Sequence, residues 1–402
     1  MPRTTPIGSS RARIGAVAAG LLLLSAAPVA TAAEVTAGDG IEIASEDGSY
    51  RLKLGARVMW DTDSFDGALN RDHDGDWRFN SGLRRARVEM SGNLSEDFEF
   101  VFDVNVQDDA EVHAAGIEYT GWRFVNVFVG RTKEPFGLEE LTSSKALTTI
   151  ERNYFNEATD VDSQPHFGVL LNGRAAGIGW SAGIFSPEGN PQRSDGGDRL
   201  AFTGRLFGAP IRTDERVLHL GAAYTDRNVD QPLEETGFAL DIAENGGELD
   251  SASILIDEDR QVGLEALFIQ GPVSLQAEAF RRQMSGAAGG PDGQVDQQYV
   301  QASWTLTGES RGYEAHEGIP NMIQPTGRRG AVELVAKVDW IRFDVDGAPD
   351  QEVEGLLIGA NWYATRHVKL MANVIRVSSD RVVAPGEDDD ATVFSTRVQF
   401  TF

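Results

Sequence analysis

Alternation of apolar and polar residues with a period of two runs through most of the chain, and this feature restricts the fold more than any other. In the first alternating segment the apolar positions are Tyr50, Leu52, Leu54, Ala56, Val58 and Trp60. The positions between them include Arg51, Lys53, Arg57 and Asp61. Such a segment is typical of a strand with one face in an apolar medium and the other in water.

The pattern recurs up to the carboxyl end, for example over residues 332–340 and 394–402. There are about sixteen such segments, each close to the length that a tilted membrane strand needs. Short turns and longer loops alternate between them, which predicts an all-β fold: a transmembrane antiparallel β-barrel with long extracellular loops and short periplasmic turns. The expected longer connections include loops at 61–82 and about 226–260 and an irregular stretch at 308–329. Aromatic residues near strand ends on the apolar face fit interfacial girdles, and they are Trp60, Tyr224, Trp304, Trp340, Trp362 and Phe402. A soluble β-sandwich is the alternative, since it also alternates.

The amino terminus reads as a secretory signal over residues 1–32. Arginines 3, 11 and 13 precede an apolar run from Ile14 to Ala27, and small residues at 30–32 offer a cleavage site. A retained membrane anchor is the alternative. We therefore expect a short periplasmic segment at 33–48 and a barrel at 49–402. If a secreted chain without a longer apolar segment enters a membrane, it must do so as a closed barrel, because open sheet edges leave unpaired backbone groups in lipid.

Composition excludes several function classes. The formal net charge of −26 argues against a nucleic-acid partner, and the lack of cysteine excludes disulfides and thiol chemistry. Residues 72–76, DHDGD, resemble the start of a calcium loop, but the glycine is misplaced and Leu83 stands where a glutamate ligand is expected. A solvated loop, or one bridging divalent cations to lipopolysaccharide, fits better. We expect no metal site, no cofactor and no catalytic residues.

A charged stretch follows the strand-like run at 124–129. Residues 130–152, GRTKEPFGLEELTSSKALTTIER, carry eight formal charges. The irregular region continues to about residue 166, which is too long for a hairpin turn. One hypothesis is a loop, about 131–166, that folds into the mouth of a pore and narrows it. The alternative is a solvated surface loop.

Several fragments together resemble the phosphate-selective porin O and P family. They are LRRARVEMSG at 83–92, FGLEELTSSKALTTIERN at 136–153, LTGESRGY at 306–313 and GANWY at 359–363, and the resemblance spans about 49–402. It implies a sixteen-stranded barrel in the bacterial outer membrane, usually a homotrimer in contact with lipid and lipopolysaccharide. It also implies a water-filled channel for small anions such as phosphate or polyphosphate, with a basic constriction narrowed by the loop after the fifth strand.

The resemblance and the alternation together predict the residues of the channel. The expected pore-lining and anion-binding residues are Arg57, Arg84, Arg85, Arg87, Arg131, Lys145, Arg152, Arg199 and Arg205. The expected acidic residues of the constriction are Glu139, Glu140 and Glu314. Alternation alone places Arg84 on the apolar face near a strand end; its place in the pore comes from the resemblance.

Three positions depart from the phosphate-specific pattern. Glu140, Glu314 and Gln324 stand where phosphate-specific members of the family have lysines, which argues against a tight phosphate site. The basic residues have an alternative interpretation as ion-pair partners of acids that fill a polar interior. The function also has two alternatives: an outer-membrane barrel enzyme, and a plugged structural or adhesin barrel.

Overall fold

The structure is a computed structural model, and it describes residues 33–402 except 39, 74–75, 108–109, 155, 157–164, 187–199, 214, 229–233, 237–238, 241, 243–248, 251–252 and 381–389. The expected signal, 1–32, lies outside the described residues and stays a prediction. Within the described part no helix is long and apolar enough to cross a membrane.

Sixteen antiparallel strands of the described chain form the wall of a closed barrel. They are β1 Arg51–Phe65, β2 Arg78–Ser95, β3 Phe98–Asn105, β4 Glu111–Tyr119, β5 Asn126–Thr132, β6 His166–Ala175, β7 Ile178–Ser186, β8 Ala201–Arg212, β9 Arg216–Asn228, β10 Ile254–Gln270, β11 Val273–Gly286, β12 Gly293–Thr305, β13 Ala331–Val345, β14 Gln351–Tyr363, β15 Val368–Asp380 and β16 Asp390–Thr401. Each strand pairs with the next, and β16 pairs with β1 from Thr401↔Arg57 to Val393↔Phe65, which closes the barrel. The predicted fold class is confirmed.

Short elements occupy the connections. One α-helical turn, Leu138–Leu141, and 3-10 turns at Gly67–His73, Ser144–Ala146 and Ala287–Gly289 lie in loops. Short strands pair as Ala239–Leu240 with Leu249–Asp250 and as Arg311–Glu314 with Ile319–Ile323, and Glu234–Thr236 pairs with β10. The expected periplasmic segment contains a hairpin, Ala33–Gly38 with Gly40–Ser45, whose second strand pairs with the start of β1.

The two faces of the barrel have opposite chemistry. The apolar side chains of Leu220 and Val338 are 50% and 55% exposed, whereas the polar side chains of Gln301 and Ser303 are only 4% and 6% exposed. Apolar residues therefore point outward around the whole wall. A β-sandwich would bury them together in one core, so that alternative is wrong.

Two predicted loops are shorter than the sequence suggested. Residues 61–82 were expected to be a loop, but β1 runs to Phe65 and β2 starts at Arg78. The polar residues Asp61 and Asp63 point into the barrel, where they bind Arg397 and Ser395. The expected loop 226–260 likewise gives residues to β9 and β10. Asp61 and Asp63 look like loop residues in the sequence, and they are stable in the strand because polar partners lie opposite them on the adjacent strand β16.

Candidate functional site

The loop between β5 and β6 spans residues 133–165, and we call its described residues, 133–154, 156 and 165, the inner loop. They lie inside the barrel. Leu138 and Ile150 of this loop are 0% and 3% exposed. Its helical turn is anchored to β11, because the amides of Leu138 and Glu139 donate to the two carboxylate oxygens of Glu278 at 2.5 and 2.9 Å. The predicted charged stretch thus packs against the barrel wall instead of lying on the outer surface.

Buried ion pairs fix the far end of the inner loop. Arg397 of β16 donates to both carboxylate oxygens of Asp61, at 2.7 and 2.6 Å, and to the carbonyl oxygen of Ile150 at 2.6 Å. It also reaches Glu151 at 2.7 Å. Burial alone would raise the pKa of Glu151, but the facing cations Arg84 and Arg397 lower it below its usual range. Glu151 therefore stays charged between them.

Glu139 also packs against the wall of the barrel, where Lys337 of β13 lies near it. One of its carboxylate oxygens accepts from the amide and the side chain of Asn153 at 2.7 and 2.9 Å, and it lies 3.5 Å from Nζ of Lys337. The side chain is 1% exposed. Glu139 does not line the cavity described below, although the sequence assigned it to the constriction.

A second segment enters the barrel from the end where the turns are short. Residues 306–330 are here called the second insert. The stretch 308–329 was expected to be irregular, and it contains the hairpin of Arg311–Glu314 and Ile319–Ile323. Arg311 donates to Glu333 and, at 3.0 Å, to the carbonyl oxygen of Ala146 in the inner loop. Arg205 of β8 donates to the carbonyl oxygens of Glu317 and Gly318, both at 2.8 Å. The two segments therefore meet within the lumen.

A cavity of about 1110 Å³ lies between the inner loop, the second insert and the wall of β1–β8. Its charged lining residues are Arg57, Arg84, Arg85, Arg87, Asp103, Glu111, Glu118, Lys133, Glu140, Arg152, Arg205 and Glu317. Arginines and a lysine outnumber the acids there, although the whole chain is strongly acidic. The structure thus collects several of the predicted basic residues around one space.

A β-bulge turns two successive arginines into this cavity. Met59 pairs with Arg85 while Trp60 pairs with Leu83, so Arg84 is the extra residue of β2. A bulge places two residues opposite one and breaks strict alternation. Arg84 consequently faces the lumen, where it lies 3.0 Å from Glu151, and its placement on the apolar face by alternation is wrong.

The basic residues of the cavity differ in how far they are neutralised. Arg57 binds Glu89 and donates to the hydroxyl oxygen of Ser144 at 2.7 Å. Arg87 reaches Asp103 only at 3.6 Å, and its buried Nε has no hydrogen-bond partner. Arg85 makes no hydrogen bond or ion pair with any described residue. Positive charge on β2 is therefore only partly compensated.

Glu140 balances two cations of the inner loop. It pairs with Lys133, and its second oxygen lies 3.1 Å from Nε of Arg152. Burial and the neighbouring Arg152 lower the pKa of Lys133 to about 7, against the attraction of Glu140. Arg152 also donates to the carbonyl oxygens of Glu139 and Thr142, so it holds the loop together as well as facing the cavity.

Other predicted residues lie away from the cavity lining. Arg131 lies two residues after the exposed Val129, on the same face of β5, and pairs with Glu111 at 3.3 Å. Lys145 lies 3.9 Å from Glu89, and Glu314 is exposed on the second insert, where it accepts from Asn321. Arg199 lies outside the described residues.

Sequence reasoning missed Lys133 and Glu317 as lining residues. Lys133 stands where β5 ends, at the start of the charged stretch, so its position was a usable signal. Glu317 had none, because only the tertiary fold returns the second insert to the lumen. Asp103 was one of the acids expected to pair with the arginines in a polar interior, and it lines the cavity 3.6 Å from Arg87. Within the described residues no cluster of His, Asp and Glu could hold a metal ion.

The closed barrel and the charged loop inside it define a porin. The chain belongs to the phosphate-selective porin O and P family, whose model matches residues 52–402. This membership confirms the predicted family, and with the barrel fold it makes the protein a channel of the bacterial outer membrane.

Known proteins of similar sequence and fold agree with this assignment. Porin O of Pseudomonas aeruginosa is 29% identical over 402 residues, covering 90% of this chain and 91% of that protein. The anion-selective porin from Comamonas acidovorans is 14% identical in sequence and has a TM-score of 0.57. The match covers 88% of this chain and 100% of that porin. OmpT of Vibrio cholerae, in its trimer form, is 10% identical with a TM-score of 0.59, covering 88% of this chain and 100% of that one.

Proposed function

We propose that the channel passes small anions along the β2 wall of the cavity, with a weak to moderate preference over cations and without a tight phosphate site. The observation that carries this proposal is the environment of Arg85. Its guanidinium lines the cavity, and no described residue forms an ion pair or hydrogen bond with it. An uncompensated fixed charge in a narrow lumen raises the local concentration of counter-ions.

The neighbours of Arg85 add to the effect. Arg87 lies two residues away on the same strand. The carboxylate of Asp103 lies 3.6 Å from its guanidinium, so the positive charge of Arg87 is only partly neutralised. Charges farther away than about 8–10 Å are largely screened at physiological salt. Local arginines should therefore outweigh the acidic residues elsewhere in the chain.

Glu140 supports the second half of the proposal. Its carboxylate is shared between Lys133 and Arg152, which removes two cations from the set available to a permeating anion. A tight phosphate site needs several convergent donors without a competing carboxylate. Anion binding here should be correspondingly weak.

The test is the reversal potential of the purified protein in a planar bilayer under a chloride gradient. We expect anion preference in the parent. Replacing both Arg85→Ala and Arg87→Ala should reduce the anion-to-cation permeability ratio by about two- to fivefold. Arg281→Ala is the matched control, because this arginine lies on the outer face, 57% exposed, and should leave the ratio unchanged.

Conductance in the same experiment separates the alternatives. A barrel enzyme or a plugged adhesin barrel would insert without steady ion current, whereas a channel conducts. A cation-selective parent that neither arginine change affects would show that β2 does not line the ion path.

We also propose that the protein assembles as a homotrimer embedded in outer-membrane lipid and lipopolysaccharide. The trimer form of the similar barrel from Vibrio cholerae supports the trimer. The exposed apolar side chains of the outer face, for example Phe102 at 41% and Val169 at 44%, support the contact with lipid. The native mass in detergent should be three times that of the chain. A monomer under mild extraction would contradict it.

A further inference from the structure

The cavity has a second wall whose chemistry differs from that of β2. Val101, Phe128 and Leu170, on β3, β5 and β6, line the same cavity as the arginines. Each lies beside outward neighbours that are exposed, such as Val129 at 46% and Leu171 at 38%, so these three side chains point inward. Lumen-facing positions of porins are usually polar.

Two phenyl rings of the cavity lining lie over glycines. A methyl group added at Gly116 would lie 2.2 Å from Cζ of Phe128, so the phenyl ring lies directly over that glycine. Phe207, which also lines the cavity, lies over Gly179 in the same way, again at 2.2 Å. Each ring therefore packs against the backbone of a neighbouring strand.

We propose that the preferred solutes are organic anions with an apolar body, such as aromatic carboxylates. This inference rests on the proposed anion channel and names its solute class. The carboxylate would lie toward Arg85 and Arg87, and the ring would lie against Phe128 and Leu170. A fully hydrated inorganic anion gains no binding free energy from the apolar wall. An aromatic ring does gain it, because contact with the wall removes apolar surface from water.

The size of the cavity agrees with this class. Its volume of about 1110 Å³ falls at or above the upper end of the usual range for small-molecule pockets, far more than one inorganic anion fills. Charged side chains and the apolar wall line the same cavity, so a solute with a charged end and an apolar body can contact both.

The experiment compares block of chloride current by benzoate and by acetate, which carry the same charge and differ by the ring. In the purified full chain in a planar bilayer, benzoate should reach half-block at about a fivefold lower concentration than acetate. Leu170→Asn keeps the side-chain size but adds a polar group, and it should bring this ratio close to one. Leu170→Met should retain the parent ratio.

Ser181→Val provides the opposite change. Ser181 lines the cavity on β7, so valine there extends the apolar wall and should increase the ratio. None of these variants alters charge, so the chloride reversal potential should stay at the parent value.

Equal block by benzoate and acetate in an anion-selective parent would overturn the solute class and leave the proposed channel function intact. A cation-selective parent would overturn both. If Leu170→Asn does not insert, an unchanged ratio in Ser181→Val contradicts the inference and an increased ratio supports it.

Discussion

The two sides of the inner loop use the same residue types for different purposes. On the side that faces β10–β16, Arg397 is 1% exposed and makes four hydrogen bonds, to Asp61, Ile150 and Glu151. On the side that faces β2, Arg85 lines an open cavity and has no partner among the described residues. We call these the packed side and the open side.

Glu139 and Glu140 show the contrast within one helical turn. Glu139 belongs to the packed side, where Asn153 and Lys337 satisfy it. Glu140 belongs to the open side, where it lies between Lys133 and Arg152 at the cavity. Successive residues of a helix point about 100° apart, so neighbours in sequence serve opposite sides of the loop. Charged residues on the packed side hold the inner loop against the barrel wall. Charged residues on the open side determine the electrostatic potential that acts on a solute in the cavity.

The largest effect should come from breaking the packed side. Arg397→Ala leaves the buried Asp61 without its cation and removes one of the two arginines that bind Glu151, and this should cost about 3–5 kcal/mol of unfolding free energy. Urea unfolding from lipid vesicles measures the loss. Arg376→Ala is the control, since that arginine pairs with Asp390 at 3.3 Å but is 71% exposed, and it should cost less than about 1 kcal/mol. Equal losses would contradict the distinction between buried and exposed pairs.

A charge on the outer face should be the next most costly change. Val338→Arg places a cation in lipid near the middle of β13 and should destabilise the barrel by about 2–4 kcal/mol. Ser181→Arg places the same residue on the open side of the lumen and should be mild. The same unfolding assay compares them, and similar costs would refute the assignment of the two faces.

Selectivity separates the two neighbouring glutamates. Glu140→Gln removes the carboxylate shared by Lys133 and Arg152 and should raise the anion-to-cation permeability ratio by about two- to threefold. Glu139→Gln removes the same charge on the packed side and should lower stability without changing the ratio. Reversal potentials in a chloride gradient test both. An equal rise in the two variants would show that the packed side also faces the ion path.

The smallest effect should be a pH dependence of the open side. Since the pKa of Lys133 is lowered to about 7, its positive charge is present below pH 7 and is lost as the pH rises through 7. Burial raises the pKa of Glu317, another lining residue, so acid also removes negative charge there. Anion preference should thus be higher at pH 6 than at pH 8. Lys133→Gln should reduce this difference, and a preference that rises with pH would refute the assignment.

The sequence alone determined the barrel and its faces. Alternation with a period of two is fixed by strand geometry, so the outward positions of Leu220 and Val338 followed from their neighbours. The sequence also predicted the number of strands, the family and the basic residues of β2, because each of these depends on residue type and local spacing.

Only the tertiary structure decided which charges are free. Arg84 faces the lumen because a bulge shifts the register of β2, and no residue pattern marks that bulge. Asp61 lies in a strand because Arg397, far away in sequence, lies opposite it after barrel closure. Arg85 has no partner among the described residues because the described acids of the inner loop, Glu134, Glu139, Glu140 and Glu151, bind other cations. Pairing of charges depends on distances between strands and the loop, and these exist only once the barrel has closed around its loop.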